Sequence, residues 1–255
     1  MIESKAIIEP KVMIELKQLC RSFQIGDQCV HALDHIDLKI AGGEYLSVMG
    51  PSGSGKSTLL NMLGLLDMPS DGEYLLNQTA TSQLSEEGRA TLRREHIGFV
   101  FQSYHLIPRL TARENIELPL ILAGIPPKQR KPLIDKVITR LALTDRAAHV
   151  PNQLSGGQRQ RVAIGRAIVM KPQLLLADEP TGNLDSVSGR EVIELLEELN
   201  DEGITLLVVT HDQNIGDRAR RELKMIDGRI ASDTNNSPAG NSTITDSTAI
   251  TQANR

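Results

Sequence analysis

The 255-residue sequence predicts an α/β protein, with a mostly parallel sheet covered by helices on both faces and an inserted helical lobe. Three observations predict it. Short apolar runs alternate with amphipathic stretches along most of the chain. A glycine-rich loop lies between one apolar run and an apolar helical stretch. From residue 103 to about residue 150 the texture becomes helical, with no strand-like run between.

The elements follow in order. "VMIELKQL" and "HALDHIDLKI" alternate as strands, and "AGGE" turns the chain into the strand "YLSVMG". A helix is expected from Lys56 to about Leu66, and "DGEYLLN" reads as a short hairpin element. "EEGRATLRREH" is helical and leads into the strand "IGFVF". Thr111, Ala112, Arg113 and Glu114 have capping-box spacing, which starts another helix. "KPLIDKVITRLAL" sets Leu133, Ile134, Val137, Ile138 and Leu141 at helical spacing. A helix runs from the Gly156 region to about Met170 and stops before Pro172. The strand "LLLA", the helix "SGREVIELLEELN" ended by Gly203, and the strand "TLLVVT" complete the set. The expected domain covers residues 12–230, with the helical lobe at about 103–168. Residues 231–255 are dominated by Ser, Thr and Asn; they lack the apolar anchors that offset ordering entropy, so a disordered polar tail is expected.

Composition narrows the function classes. Hydrophobic residues make up 40% and charged residues 24%, as in a soluble globular protein. A net charge of −4 argues against nucleic-acid binding through a broad basic surface. Cys20 and Cys29 lack C-x-x-C spacing and read as two reduced thiols. No apolar run approaches the roughly 18 residues that span a bilayer. The most apolar stretch, 116–125, carries Glu117 and Pro119, and the N-terminus has no clean signal-peptide core. A cytoplasmic protein is expected, with any membrane role supplied by a partner.

Gly50, Pro51, Ser52, Gly53, Ser54, Gly55, Lys56 and Ser57 match G-x-x-x-x-G-K-[ST], with Thr58 next in the helix. The preceding strand and following helix are the context of a phosphate-binding P-loop. The glycines let several N–H groups converge, and the helix start adds partial positive charge. Lys56 is expected on the β- and γ-phosphates and Ser57 on Mg²⁺. "QLLLADEP" puts Asp178 and Glu179 directly after an apolar strand. In a P-loop protein this is the Walker B pattern: Asp178 helps hold the ion and Glu179 polarises the attacking water.

At Leu154, Ser155, Gly156, Gly157 and Gln158 the sequence resembles the ABC signature, and the resemblance extends over residues 12–231 with all the major motifs in the family's order. It implies a RecA-like core sheet, an antiparallel β subdomain and an inserted α-helical lobe. By the same resemblance, Gln102 is a Mg²⁺ and water sensor, Asn183, Leu184 and Asp185 form the D-loop, His211 contacts the γ-phosphate, and Phe23 stacks on adenine. The ligands implied are ATP and Mg²⁺, the ion held by Ser57, Gln102 and Asp178. The signature turn of one subunit faces the P-loop of another, so a second copy of the chain is implied.

"MLGLLDMPSDG", "RREHIGFVFQSYHLIPRLTARENIELPL" and "DEPTGNLDSVSG" resemble ATPases of the macrolide-exporter and lipoprotein-releasing type. That resemblance implies a peripheral ATPase on the cytoplasmic side of the inner membrane, driving separate permease subunits with a periplasmic domain. The other reading is a mechanical signalling complex that controls a periplasmic enzyme without transport. Residues 103–113 are expected to border a groove for a short helix of the membrane partner. Tyr104, His105, Leu106 and Ile107 are either its contacts or ordinary core of the lobe.

Overall fold

The structure, a computed structural model, describes residues 11–236. The chain opens with a long hairpin, β1 (Val12–Ile25) and β2 (Gln28–Ala41), and then enters β3 (Tyr45–Met49), which is buried throughout. Helix α1 (Lys56–Leu63) follows the glycine-rich loop. It stops short of Leu66 because Leu65 adopts a left-handed φ of 56°. The N–H groups of Leu66 and Leu65 then return to the carbonyls of Asn61 and Met62, which closes the helix end.

A small hairpin, β4 (Asp71–Leu76) and β5 (Thr79–Ala80), is followed by α2 (Glu86–His96) and β6 (Ile97–Phe101). The lobe then supplies α3 (Ala112–Leu122), α4 (Pro127–Arg140) and α5 (Gly156–Ile168). The capping box read at Thr111 is present: its side chain accepts from the Glu114 N–H, and the Glu114 carboxylate accepts from the Thr111 N–H. Strand β7 (Leu174–Asp178), α6 (Ser186–Asp201), β8 (Thr205–Val209), the short α7 (Gln213–Gly216), β9 (Arg221–Ile226) and β10 (Arg229–Asn235) close the described chain.

Two sheets result. One is antiparallel, in the order β2-β1-β4-β5; the other has six strands in the order β10-β9-β3-β8-β7-β6. Its five strands from β9 to β6 pair in parallel, and β10 is the antiparallel edge. Period-two alternation divides the molecule into two cores across this sheet. Leu206 and Val208 face the helical lobe with Ile116, Ile138 and Val162. Leu207 and Val209 face the other way, onto α1 and the antiparallel sheet, with Leu60, Leu63 and Ile14. Each buried Leu or Val side chain stabilises the fold by roughly 1.5–3 kcal/mol. Both faces are covered, so the central strands read as unbroken apolar runs.

Strands β9 and β10 were not expected. Strand β10 also carries ordered structure to Asn235, past the expected boundary at residue 231. It holds by pairing rather than by burial. Arg221 of β9 grips Asp233 of β10 through two bonds of 2.7 Å, and most β10 side chains are exposed. An outward-facing edge strand of this kind has the composition of a tail. The remainder of the expected tail, 237–255, lies outside the described residues. Among the described residues no helix is long and apolar enough to cross a membrane.

Candidate functional site

The parallel strands β3, β7 and β8 all deliver their C-terminal ends to one edge, where a cavity of about 460 Å³ opens. Its walls come from the glycine-rich loop after β3, from Asp178 and Glu179 after β7, and from Val209 and His211 at the end of β8. Of the residues expected at a nucleotide site, Gly50, Ser52, Gly53, Gly55, Lys56, Ser57, Thr58, Asp178, Glu179 and His211 line this one cavity.

The loop's shape depends on two glycines. Gly50 has φ 149°, and a Cβ there would lie 2.2 Å from the Met225 carbonyl oxygen. Gly55 has φ 100°, and its Cβ would lie 2.4 Å from the Ala32 carbonyl oxygen. Gly55 is also the N-cap of α1, and no side chain caps that terminus. The first N–H groups of α1 are therefore left for an anion. The Lys56 ammonium lies across the loop, donating to the carbonyls of Gly50 and Pro51 at 2.8 Å each. Ser54 faces inward, and its buried hydroxyl has no partner.

The acidic side of the cavity is pre-charged in a defined way. Burial holds the Asp178 carboxyl above the usual range, the neighbouring charge of Glu179 adds to this, and Lys56 opposes it. Glu179 sits at φ 45° and accepts from His211 Nδ1 at 2.7 Å and from the Thr210 hydroxyl at 3.4 Å. The hydrogen bond to Glu179 raises the His211 pKa above its ordinary 6.5, and the carboxylate charge raises it further. His211 is otherwise open, its side chain 77% exposed.

The remaining expected residues lie elsewhere. Gln102 follows β6 and turns to Asn183, its Nε2 donating to Asn183 Oδ1 at 3.5 Å while Asn183 Nδ2 donates to the Gln102 carbonyl at 3.0 Å. Phe23 is 37% exposed on β1, with the Arg21 guanidinium 4.5 Å over its ring. Its cross-strand partner is Val30, which does line the cavity. Ser155 is the N-cap of α5, accepting from the Gln158 N–H at 3.2 Å while Gln158 Oε1 accepts from the Ser155 N–H at 3.0 Å. Gly156 and Gly157 pack beside Leu184 and Ser188, next to the turn capped by Asp185. None of residues 155–158 lines the cavity.

The cradle fits a polyphosphate with a hard divalent ion: convergent backbone donors at an uncapped helix start, one ammonium, and a hydroxyl at Ser57 close to the carboxylate of Asp178. The sequence profile of the ABC transporter family matches residues 33–182. The chain belongs to the ABC transporter family.

Two curated relatives, each described as a macrolide export ATP-binding/permease protein MacB, come from Marinobacter nauticus and Burkholderia thailandensis. The first is 50% identical over 89% of this chain and 35% of its own length, the second 50% over 87% and 34%. The chain thus spans about a third of the length of the curated relatives it matches. A solved dimeric ATP-binding cassette, MJ0796, in a post-hydrolysis state bound to ADP and Pi, superposes with a TM-score of 0.82 at 42% identity, covering 88% of this chain and 99% of that one. The fold is that of an ABC cassette, a P-loop ATPase architecture.

Among the lining residues that carry no motif are Val30, His31 and Ala32 on β2. Alternation marks β2 as a strand but cannot show that its far end reaches the loop. A cleft of about 510 Å³ lies between α2, β6, α3 and α5, walled by Arg93, Phe99, Phe101, Leu118, Leu122 and Arg166. Tyr104, His105, Leu106 and Ile107 do not line it. Arg166 links them to it, donating to the carbonyls of Tyr104 at 2.9 Å and His105 at 2.5 Å. Leu106 packs on the lobe core, and Ile107 is exposed.

Proposed function

We infer that this cassette binds and hydrolyses ATP between two copies of the chain and so drives a membrane permease of the macrolide-exporter or lipoprotein-releasing type. One observation carries the reading. The cavity gathers Lys56, Ser57, Asp178, Glu179 and His211, while the turn of Ser155, Gly156, Gly157 and Gln158 stands outside it. A helix start with donors for a γ-phosphate, placed away from its own phosphate loop, is suited to the loop of a second copy.

The residues then divide the work. The loop N–H groups and Lys56 hold the phosphates, and Ser52, Gly53 and Thr58 complete the cradle. Ser57 and Asp178 would hold Mg²⁺, joined by Gln102 once its side chain leaves Asn183, and the ion when bound would neutralise charge on the transferring phosphoryl group. Glu179 orients the attacking water, and His211 fixes the Glu179 carboxylate and reaches toward the γ-phosphate. Phe23, beside Val30, stacks on the base. Positioning and charge supply most of the catalysis, as phosphoryl transfer requires.

The cleft between α2, β6, α3 and α5 is the seat for a short helix of the permease. Phe99, Phe101 and Leu122 offer apolar surface there, and Arg93 and Arg166 form a basic rim. The cassette sits at the cytoplasmic face of the inner membrane. Its relatives are described as ATP-binding/permease proteins, which supports this placement.

Glu179→Gln tests the reading. With ATP and Mg²⁺ the variant is expected to sediment as a stable dimer with little turnover. A variant that stays monomeric yet hydrolyses ATP at the normal rate would overturn it.

A further inference from the structure

The antiparallel sheet carries a second group of chemistry-bearing side chains, outside the nucleotide cavity. Between Leu19↔Ile36 and Arg21↔Leu33 the β1–β2 register shifts, so that Asp34 and His35 of β2 together oppose Cys20 of β1. This is a β-bulge, and it breaks the usual alternation of faces. Leu19, Leu33 and Ile36 point into the core, and Cys20, Asp34 and His35 are left together on the outer side. Their ligand atoms all lie within 4.8 Å of one another, and among the described residues no other group of three His, Cys, Asp or Glu side chains converges in this way.

The surroundings suit a metal. The two Asp34 oxygens are already assigned: Oδ2 accepts from Arg229 Nε at 2.7 Å, and Oδ1 faces His35 Nδ1 at 2.5 Å. The Cys20 sulfur accepts from the His35 N–H at 3.3 Å and donates to the Gln18 carbonyl at 3.6 Å. His35 holds φ 53°, a left-handed conformation that keeps its N–H on the sulfur and its ring over Asp34. Arg229 is the outer partner that fixes the carboxylate, as metal-ligating carboxylates commonly have. The mouth is open, with the His35 side chain 63% exposed, so a fourth position is left for water.

We propose that Cys20, Asp34 and His35 form a binding site for a borderline-soft divalent transition metal, with zinc preferred. One sulfur, one imidazole nitrogen and one carboxylate oxygen, with an open fourth position, is a donor set suited to tetrahedral Zn²⁺ and poorly suited to Mg²⁺. The site is distinct from the nucleotide cavity but adjoins it. The Asp34 N–H donates to the Gly228 carbonyl at 2.9 Å, and the Gly228 N–H donates to the Ser54 carbonyl in the phosphate loop at 3.1 Å.

The test is a titration of the full nucleotide-free chain with Co²⁺, followed by competition with Zn²⁺. The expected result is a sulfur-to-cobalt charge-transfer band that saturates at one ion per chain and is erased by Zn²⁺. The Mg²⁺ pocket offers no sulfur, so it cannot give this band. The band should survive Cys29→Ser and vanish in Cys20→Ser. Arg229→Ala should weaken binding about 10–100-fold, as loss of an outer partner does. His35→Ala alters an exposed side chain, so it reads the site even if Cys20→Ser folds poorly. A missing band, a band that persists without Cys20, or an unchanged affinity in His35→Ala would overturn the proposal.

Discussion

Two helix starts in this molecule are expected to meet the same phosphate, and they are built in opposite ways. At α1 the N-cap is Gly55, and no side chain closes the terminus. At α5 the N-cap is Ser155, which exchanges two hydrogen bonds with Gln158. The first terminus is a standing site held open by backbone conformation. The second is partly closed by its own side chains, which hold the N–H groups of Ser155 and Gln158. Under the proposed function, the contrast would let one half of the site bind nucleotide alone while the other engages only after a second copy docks.

The largest expected effect separates the halves directly. Ser155→Arg should lower turnover by about 10²–10³, the usual cost of losing one transition-state donor, while nucleotide binding to the monomer is unchanged. Equal losses in both would break the contrast. Lys56→Ala should act on binding itself. Losing a charge-assisted contact costs about 1.5–3 kcal/mol, so affinity measured by calorimetry should fall about 10–100-fold. Ser155→Ala should lower the stability of the nucleotide-free chain by about 1 kcal/mol in a denaturant melt, because it removes a working cap.

The smallest effect is a titration. The pKa of His211 is raised by Glu179, so the folded chain keeps a proton that the unfolded chain loses near 6.5. The stability from this contact is complete below that pH and fades as pH rises through the raised value. NMR of the His211 ring should show a midpoint above 6.5 that falls back in Glu179→Gln. An unchanged midpoint would show that the pair does not hold in solution.

The parts legible in the sequence were those encoded by local rules. Residues 50–57 announce a loop because glycine, lysine and serine at that spacing have one structural use, and Thr111 with Glu114 announces a helix start. Asp178 and Glu179 could be placed because they directly follow an apolar strand in a P-loop protein, whereas His211 was placed by the resemblance to the ABC family. What stayed hidden depended on neighbours distant in sequence. Strand β10 looks polar because only its ladder is buried. His31 and Ala32 reach the cavity only through the curl of β2. The register slip that sets Cys20 against Asp34 and His35 leaves no mark in either strand's pattern. The cleft walled by Phe99 and Leu122 is assembled from four elements, none of which signals it alone.

The backbone of Glu179 carries a further consequence. A glutamate at φ 45° occupies a region that glycine enters freely and other residues enter at a cost of about 1–3 kcal/mol. Glycine would relieve that cost but forfeit the bonds to His211 and Thr210 and, under the proposed function, the group that orients the attacking water. Selection for thermal stability alone would therefore bear on this position, as on the ten other described non-glycine residues with positive φ. A laboratory evolution screened only for heat resistance should accumulate glycine or asparagine at residue 179, and the sequences that keep glutamate record how strongly turnover was demanded of them.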